Sequence, residues 1–388
     1  MTAGAPTRRR DDAQATLNDT EQVLIAAVRE HEGVSRSRLA SFAGLPLSTV
    51  STVARRLVAQ GLLAERDSGE STGGRRPKLL YPMQSEGLVY AAELGTTHAR
   101  VGLLDMEGDV LFAEEVPLDV QAGPEATMDL LIDHWQRLAV PASQRDEVKA
   151  IGLAVPGPVD SRGCVTGAAR LPGWGGFALG EAIRARTGLP TVVENDARAG
   201  ALGEWLVHGQ DTSSWIYVKA GRGVGAGWIS GGRLQRGSDG FAGDITHIRV
   251  HSDQELRTCS CGNKGCLETL ASGAALLRRL SEEGREMTNS SDLVTAVGNG
   301  DPHVTALVRE AGGRLGEVLS SLVNFLNPGR IVIGGSLSQM ETFIAGTRSE
   351  IYDRCLPIST ARLVIEASRT GADSSIIGLS SLAHRLVN

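Results

Sequence analysis

Three cysteines fall within eight residues, and a histidine precedes them: His247-x11-Cys259-x-Cys261-x4-Cys266. One imidazole and three thiolates make a closed tetrahedral donor set, the composition of a structural zinc site. With all four positions filled, no place remains for an activated water, so zinc here would be structural rather than catalytic. Gly262 and Gly265 sit inside the last loop and let it turn back, so that Cys266 can reach the ion. Free buried thiols are the competing reading. Three of the chain's five cysteines in so short a span argue against it. Cys164 and Cys355 stand alone and read as core residues.

A second chemistry lies near the start, in the segment RSRLASFAGLPLSTVSTVARRLV from Arg36 to Val58. Ala40 stands four residues before Gly44, and Val50 and Val53 follow. In a helix-turn-helix the two helices touch at the small residue, the glycine allows the turn, and the later apolar pair locks the second helix down. The outer face of that helix then carries Leu47, Ser48, Thr49, Ser51, Thr52 and Arg55. Its hydroxyls suit phosphates or base edges, and Arg55 suits a phosphate or a guanine. Further on, Gly73-Gly74-Arg75-Arg76-Pro77-Lys78 puts three cations on one tip, suited to phosphates or to a narrow minor groove. A three-helix bundle with a solvated face is the bland alternative, and the basic tip weighs against it.

These residues need elements to hold them. Residues 1–17 are polar and rich in Arg and Asp, and are expected to be a disordered arm. Val23, Leu24, Ala27 and Val28 recur at helical spacing after Thr20, a candidate N-cap. A second helix is expected from Ser35 to Ala43, offering Leu39, Ala40 and Phe42 for burial, and a third from about Leu47 to Gly61. A hairpin closes the segment, so residues 18–84 read as a winged helix-turn-helix. From Leu88 the texture changes to apolar strands alternating with helices: strands at 88–94, 99–104, 110–116, 148–155, 191–193, 215–220 and 330–333. Helices are expected at 126–138, 177–187, 196–207, 305–326 and 379–387. That alternation implies an α/β architecture for residues 85–388.

The chain has 388 residues, enough for two or three domains with a sizeable core. Its formal charge is −6, which leans away from nucleic acid, but the average hides a split. Residues 1–85 hold 12 basic and 9 acidic side chains, and the remainder holds 27 and 36. A small basic reader and a large acidic body is the sharper description. Only four lysines occur against 35 arginines. No apolar run is long enough for a membrane helix, and the arginines of the first residues are not followed by a signal-peptide core. We expect a soluble cytoplasmic chain with no membrane partner.

Residues 18–388 resemble the ROK family of sugar-responsive repressors and sugar kinases. The resemblance rests on the CxCGxxGCxE box from Cys259 to Glu268, the VENDA segment from Val193 to Ala197, and VPGPVD from Val155 to Asp160. LPGW at 171–174 and IVIGG at 331–335 add to it. It implies a two-lobed, actin-like ATPase-type fold with a sugar held between the lobes. The positions matching the family's sugar contacts are Asn195, Asp196, Asp244, His247 and Glu268, with Gly157 of VPGPVD beside them. Carboxylates and amides suit a polyol, which is recognised by several charge-assisted hydrogen bonds. The family usually has Glu-x-Gly-His where this chain has Asp244-Ile245-Thr246-His247. Asn195 and Asp196 also fit a helix N-cap.

In the family's kinases the first phosphate loop reads Asp-x-Gly-Gly-Thr-Lys. Here it is Glu93-Leu94-Gly95-Thr96-Thr97-His98, so Glu93, Thr96 and His98 depart from the pattern. The second loop carries Gly-Thr-Gly in kinases and Gly221-Arg222-Gly223 here. Phosphoryl transfer depends on positioning and a metal clamp, so these changes together predict a protein that is not an enzyme, with Asp196 a vestigial base. The expected role is a regulator, most simply a homo-oligomeric repressor that releases operator DNA when a sugar binds. The alternative is an ATP-dependent sugar kinase carrying a DNA-binding domain. Arg170 and Arg222 would read any extra charge on a phosphorylated ligand, unless they are surface ion pairs.

Overall fold

The computed structural model describes residues 19–30, 33–59, 62–67, 78–82, 87–138, 148–166, 171, 173–209, 213–250 and 256–387. The chain divides into two compact units, residues 1–84 and 85–388. The expected arm at 1–17, the basic residues Arg75 and Arg76, and Arg170 lie outside the described residues.

In the first unit, α1 (Asp19–Glu30) leads through a short strand β1 (Val34–Ser35) to α2 (Arg36–Ala43) and α3 (Leu47–Ala59). A hairpin of β2 (Leu63–Asp67) and β3 (Lys78–Pro82) follows. β3 lies between β1 and β2 and runs antiparallel to both. Ser35 caps α2 by accepting the Arg38 N–H at 3.3 Å. Gly44 ends it at φ 64°, in the left-handed region, with its N–H on the Ala40 carbonyl. Leu24, Val28, Leu39, Val50, Ala54, Leu57, Leu63 and Leu80 close over one core. Phe42 departs from expectation: it is 47% exposed and lies under the guanidinium of Arg38, four residues earlier on the same face.

The second unit opens with β4 (Leu88–Leu94), β5 (His98–Asp105) and β6 (Val110–Pro117). Then come α4 (Pro124–Arg137), β7 (Val148–Val155), α5 (Leu179–Thr187) and β8 (Thr191–Asn195). These strands form one sheet in the order β6-β5-β4-β7-β8, with β4, β7 and β8 parallel. Helix α6 (Asp196–Val207) crosses to a second set: β9 (Trp215–Ala220), β10 (Val224–Ser230) and β11 (Arg233–Leu234). Helices α7 (Glu268–Ala271), α8 (Gly273–Glu282), α9 (Ser290–Gly298) and α10 (Pro302–Leu326) follow. The chain ends with β12 (Arg330–Gly334), α11 (Glu341–Arg354), α12 (Pro357–Thr360), β13 (Val364–Ala367) and α13 (Ser374–Val387). The second sheet has the order β11-β10-β9-β12-β13, with β9, β12 and β13 parallel. Both sheets therefore repeat one plan: an antiparallel meander of three strands, then two parallel strands reached by crossovers.

α6 and α13 pack between the sheets. Ala199, Leu202 and Trp205 of α6 and Ile376, Leu379 and Leu382 of α13 share a cluster with Ala91 and Ala154 of one sheet and Tyr217 and Val332 of the other. The helices meet backbone to backbone. A Cβ on Gly203 would lie 1.8 Å from the Ser374 carbonyl oxygen, and one on Gly378 would lie 1.9 Å from that of Ala199.

Two differences from the sequence reading have physical causes. α13 begins at Ser374 rather than at 379, because two serines and Gly378 interrupt its apolar pattern, yet Ser374, Ser375, Ile376 and Gly378 are all buried. The stretch Val224–Gly227, not among the expected strands, opens strand β10 (Val224–Ser230). Its glycines admit α6: a Cβ on Gly227 would stand 2.6 Å from that of Ala201, and one on Gly225 3.2 Å from that of Ala197.

The Gly203→Ala variant should destabilise the second unit by about 2–4 kcal/mol, since backbone rather than a side-chain tip must move. A thermal melt that leaves the midpoint of that unit unchanged would contradict the packing.

Candidate functional site

The C-terminal ends of β4, β8 and β9 and the start of α6 open onto a cleft of about 840 Å³. Gly157, Asn195, Asp196, Asp244, His247 and Glu268 all line it, although they come from four separate stretches of sequence. Glu93, Thr96, His98 and Arg222 line it as well.

Asn195 is the N-cap of α6, its side-chain oxygen accepting the Arg198 N–H at 3.1 Å. Its amide nitrogen donates to the Gly157 carbonyl and to Asp196 Oδ1, each at 3.0 Å. Gly157 stands at φ 126°, which turns that carbonyl toward the cap. Asp196 Oδ1 also accepts the Ala197 N–H at 2.8 Å. Asp244 is exposed to the cleft. Thr246, where the family usually has glycine, donates its hydroxyl to the Val224 carbonyl at 2.6 Å. Glu268 accepts the Val224 N–H at 3.0 Å. These two bonds tie the segment around His247 and the start of α7 to the first residue of β10.

The thiol cluster positions Glu268. His247, Cys259, Cys261 and Cys266 bring one ligand atom each within 4.8 Å of one another. Cys261 Sγ and Cys266 Sγ are 3.7 Å apart, and Cys259 Sγ lies 3.6 Å from His247 Nδ1. A tetrahedral zinc with Zn–S bonds of about 2.3 Å requires edges of about 3.8 Å. The donor set fits that ion in type, number and size. Gly262 (φ 89°) and Gly265 (φ 75°) make the turns, and bridges at Arg249–Cys266 and Thr258–Lys264 close the knuckle. Burial and the neighbouring thiols push Cys266 up to about 12, and a cation among them would reverse that. Since Nδ1 of His247 faces the cysteines while the ring lines the cleft, one imidazole serves both places.

Two sets of charges escaped the sequence reading. Lys219, on β9, places its Nζ against Glu93 of β4 and 2.7 Å from Asp196 Oδ2. Burial opposes its charge, but Asp196 and Glu93 outweigh it and hold the ammonium above the usual lysine range. Its signal was a lone Lys in the apolar strand Ile216-Tyr217-Val218-Lys219-Ala220 of a chain with four lysines. The second set is Arg198, only 3% exposed, which pairs with buried Glu194 and donates to the carbonyls of Val159 and Gly240. Arg236 reaches the other oxygen of Glu194 at 2.7 Å. Arg198 thus pins VPGPVD and the loop before Asp244 to α6.

The two glycine turns at the cleft are closed. The Gly95 N–H is bonded to the His98 carbonyl at 2.7 Å, and the His98 ring would come within 3.2 Å of a Cβ on Gly95. The Gly221 N–H is bonded to the Gly223 carbonyl at 2.8 Å.

On the first unit, Ser48, Thr49, Thr52 and Arg55 are exposed on α3 and Ser51 is half-buried. Thr52 donates back to the Ser48 carbonyl at 3.0 Å. Arg56 pairs with Glu21 at 2.6 Å, whereas Arg55 has no carboxylate partner among the described residues. Lys78 is exposed and lies 3.5 Å from Glu65.

Residues 89–386 match the ROK family. The chain belongs to the ROK family. It is 30% identical over 373 residues to the xylose repressor of Caldicellulosiruptor bescii, covering 92% of this chain and 93% of that one. A ROK family transcriptional regulator, a homologue of the E. coli MLC protein, has a similar structure: TM-score 0.74, 26% identity, 95% of this chain and 96% of that one. A ROK family glucokinase from Streptomyces griseus, in complex with glucose and AMPPNP, gives TM-score 0.68 and 29% identity over 77% of this chain and all of its own (100%). The α/β ROK fold is thus shared by a regulator and a sugar kinase. No helix among the described residues is long and apolar enough to cross a membrane.

Arg198→Met should lower the melting midpoint of the second unit sharply, by an amount equivalent to about 3–5 kcal/mol, because Glu194 and two buried carbonyls lose their partner. A near-native midpoint would show that Arg236 and water suffice.

Proposed function

We propose that this chain is a sugar-responsive, DNA-binding transcriptional repressor of carbohydrate-utilisation genes. One observation carries the reading. The repressor and the regulator match over 92% and 95% of this chain, whereas the glucokinase, matched over its whole length, covers 77%. The part of the chain beyond a sugar kinase is therefore the part that a regulator needs. We read it as a winged helix-turn-helix, with α3 as recognition helix and the β2–β3 hairpin as wing. Ser48, Thr49, Ser51, Thr52 and Arg55 would meet the major groove, and Arg75, Arg76 and Lys78 the backbone or minor groove. A homo-oligomer would present two such units to a roughly palindromic operator.

Residues 85–388 are the sensor: two actin-like lobes with the sugar in the cleft at Gly157, Asn195, Asp196, Asp244, His247 and Glu268. The turns at Gly95 and Gly221 support a sensor without kinase activity, since each has one glycine amide bonded within its own turn and a departure from the kinase pattern beside it, Thr96 and His98 in one and Arg222 in the other. Arg222 and His98 occupy the same region. His247, Cys259, Cys261 and Cys266 would hold a zinc ion, which supplies structure and no open coordination site. Sugar binding between the lobes would move the operator-reading units out of register with their half-sites.

The test uses the full chain, a duplex it selects from a random pool, and a panel of hexoses, pentoses, amino sugars and their phosphates. One sugar should weaken DNA binding, and the operator should weaken that sugar's binding by the same factor. Equal sugar affinity with and without operator sinks the mechanism, and ADP release from ATP with any of these sugars revives the kinase. Replacing Arg75 and Arg76 by Ala should weaken binding to all sequences and flatten its salt dependence by about two phosphate contacts. In a separate experiment, Cys261→Ser should release the zinc that metal analysis finds in the parent protein, and lower the melting midpoint of the second unit. A parent protein that purifies without zinc contradicts the site.

A further inference from the structure

Asp196 and Glu93 approach one point from different elements, the start of α6 and the end of β4. At that point stands the ammonium of Lys219, on β9, touching both. The two glycine turns, Gly95–Thr97 and Gly221–Gly223, line the same cleft. Two hard carboxylate oxygen donors converging at a cleft floor are the minimum of a divalent-cation site. Here a covalently attached cation fills it. The choice of residue is informative. The chain uses 35 arginines and four lysines, yet a lysine stands at this place. A planar guanidinium would present a fork too broad for two carboxylates meeting head-on, whereas an ammonium is a compact point charge.

Asp196 is correspondingly committed. Oδ1 accepts from Ala197 N–H and Asn195 Nδ2, and Oδ2 accepts from Lys219. An ionised carboxylate has about four lone-pair sites, so about one is left for a ligand hydroxyl. We propose that Lys219 is a positioning residue of the ligand cleft: its ammonium is the resident counter-ion that fixes Asp196 as a hydroxyl acceptor and fills the place of a divalent cation. Ligand binding in this cleft then requires no metal, and the carboxylate that would serve as a base faces a permanent positive charge instead. The proposal rests on the cleft being the ligand site, but its test uses neither sugar nor DNA, so it fails or stands separately.

The probe is Mn2+ alone, with binding read by electron paramagnetic resonance and by thermal shift on the full, zinc-loaded chain. Wild type should bind no Mn2+ in the cleft. Lys219→Met leaves two carboxylates uncompensated, so it should melt lower and gain Mn2+ affinity by more than about tenfold, with Mn2+ but not Na+ restoring the midpoint. Lys219→Met combined with Glu93→Gln should lose that affinity again. If Lys219→Met folds poorly, folding in the presence of Mn2+ should recover it, and the recovery should require Glu93. A side chain that merely packs would not be replaced by a soluble ion. The proposal is overturned if Lys219→Met binds Mn2+ no better than wild type, if the double variant binds as tightly as the single one, or if wild type already binds Mn2+ in the cleft.

Discussion

The seating of α6 between two sheets is the constraint from which the site follows. At Gly203 and Gly378 its backbone touches that of α13, and at Gly225 and Gly227 the strand β10 yields its side chains so that α6 can approach. The helix therefore has almost no freedom to slide or rotate. Its first residues, Asn195 and Asp196, inherit that rigidity and deliver an amide and a carboxylate to one spot. Glu194 and Arg198 extend the same fixity outward, because the guanidinium grips carbonyls of two loops that flank the cleft. Close placement is what any small-molecule site needs, and at this cleft it comes from close-packed backbone rather than from flexible side chains.

The His–Cys knuckle plays the same part on the other wall. Between Gly237 and Leu267 the described residues form turns and isolated bridges and no named strand. Such a segment buries little apolar surface for its length. The four-donor cluster substitutes for a core, and the chain leaves it directly into α7, whose first residue is Glu268. Loop order and ligand geometry are thus coupled through two residues of chain.

What could be read in the sequence was whatever is local or periodic. The three helices of the first unit, the parallel strands and the cysteine spacing all write themselves into neighbouring residues. All six residues picked for the sugar pocket do line one cleft, because motif resemblance carried them there. Long-range pairing was illegible. Lys219 meets Glu93 across 126 positions of sequence, and Arg198 meets Gly240 across 42. Glycines also misled. Val224–Gly227, just past the Gly221-Arg222-Gly223 turn, does not read as a strand, yet it is one, and its glycines serve to admit a helix.

The repeated plan of the two sheets has a last consequence. β4 and β9 are corresponding strands, each the first of its meander and each ending in a glycine turn. Glu93 is the penultimate residue of β4, and Lys219 is the penultimate residue of β9. The ion pair therefore joins two positions that are equivalent in the repeated strand plan. Had the halves kept identical charged side chains there, like charges would face each other and push the strand ends apart. Opposite charges make the same contact attractive, so the repeat is tolerated at this place because its two copies differ in sign.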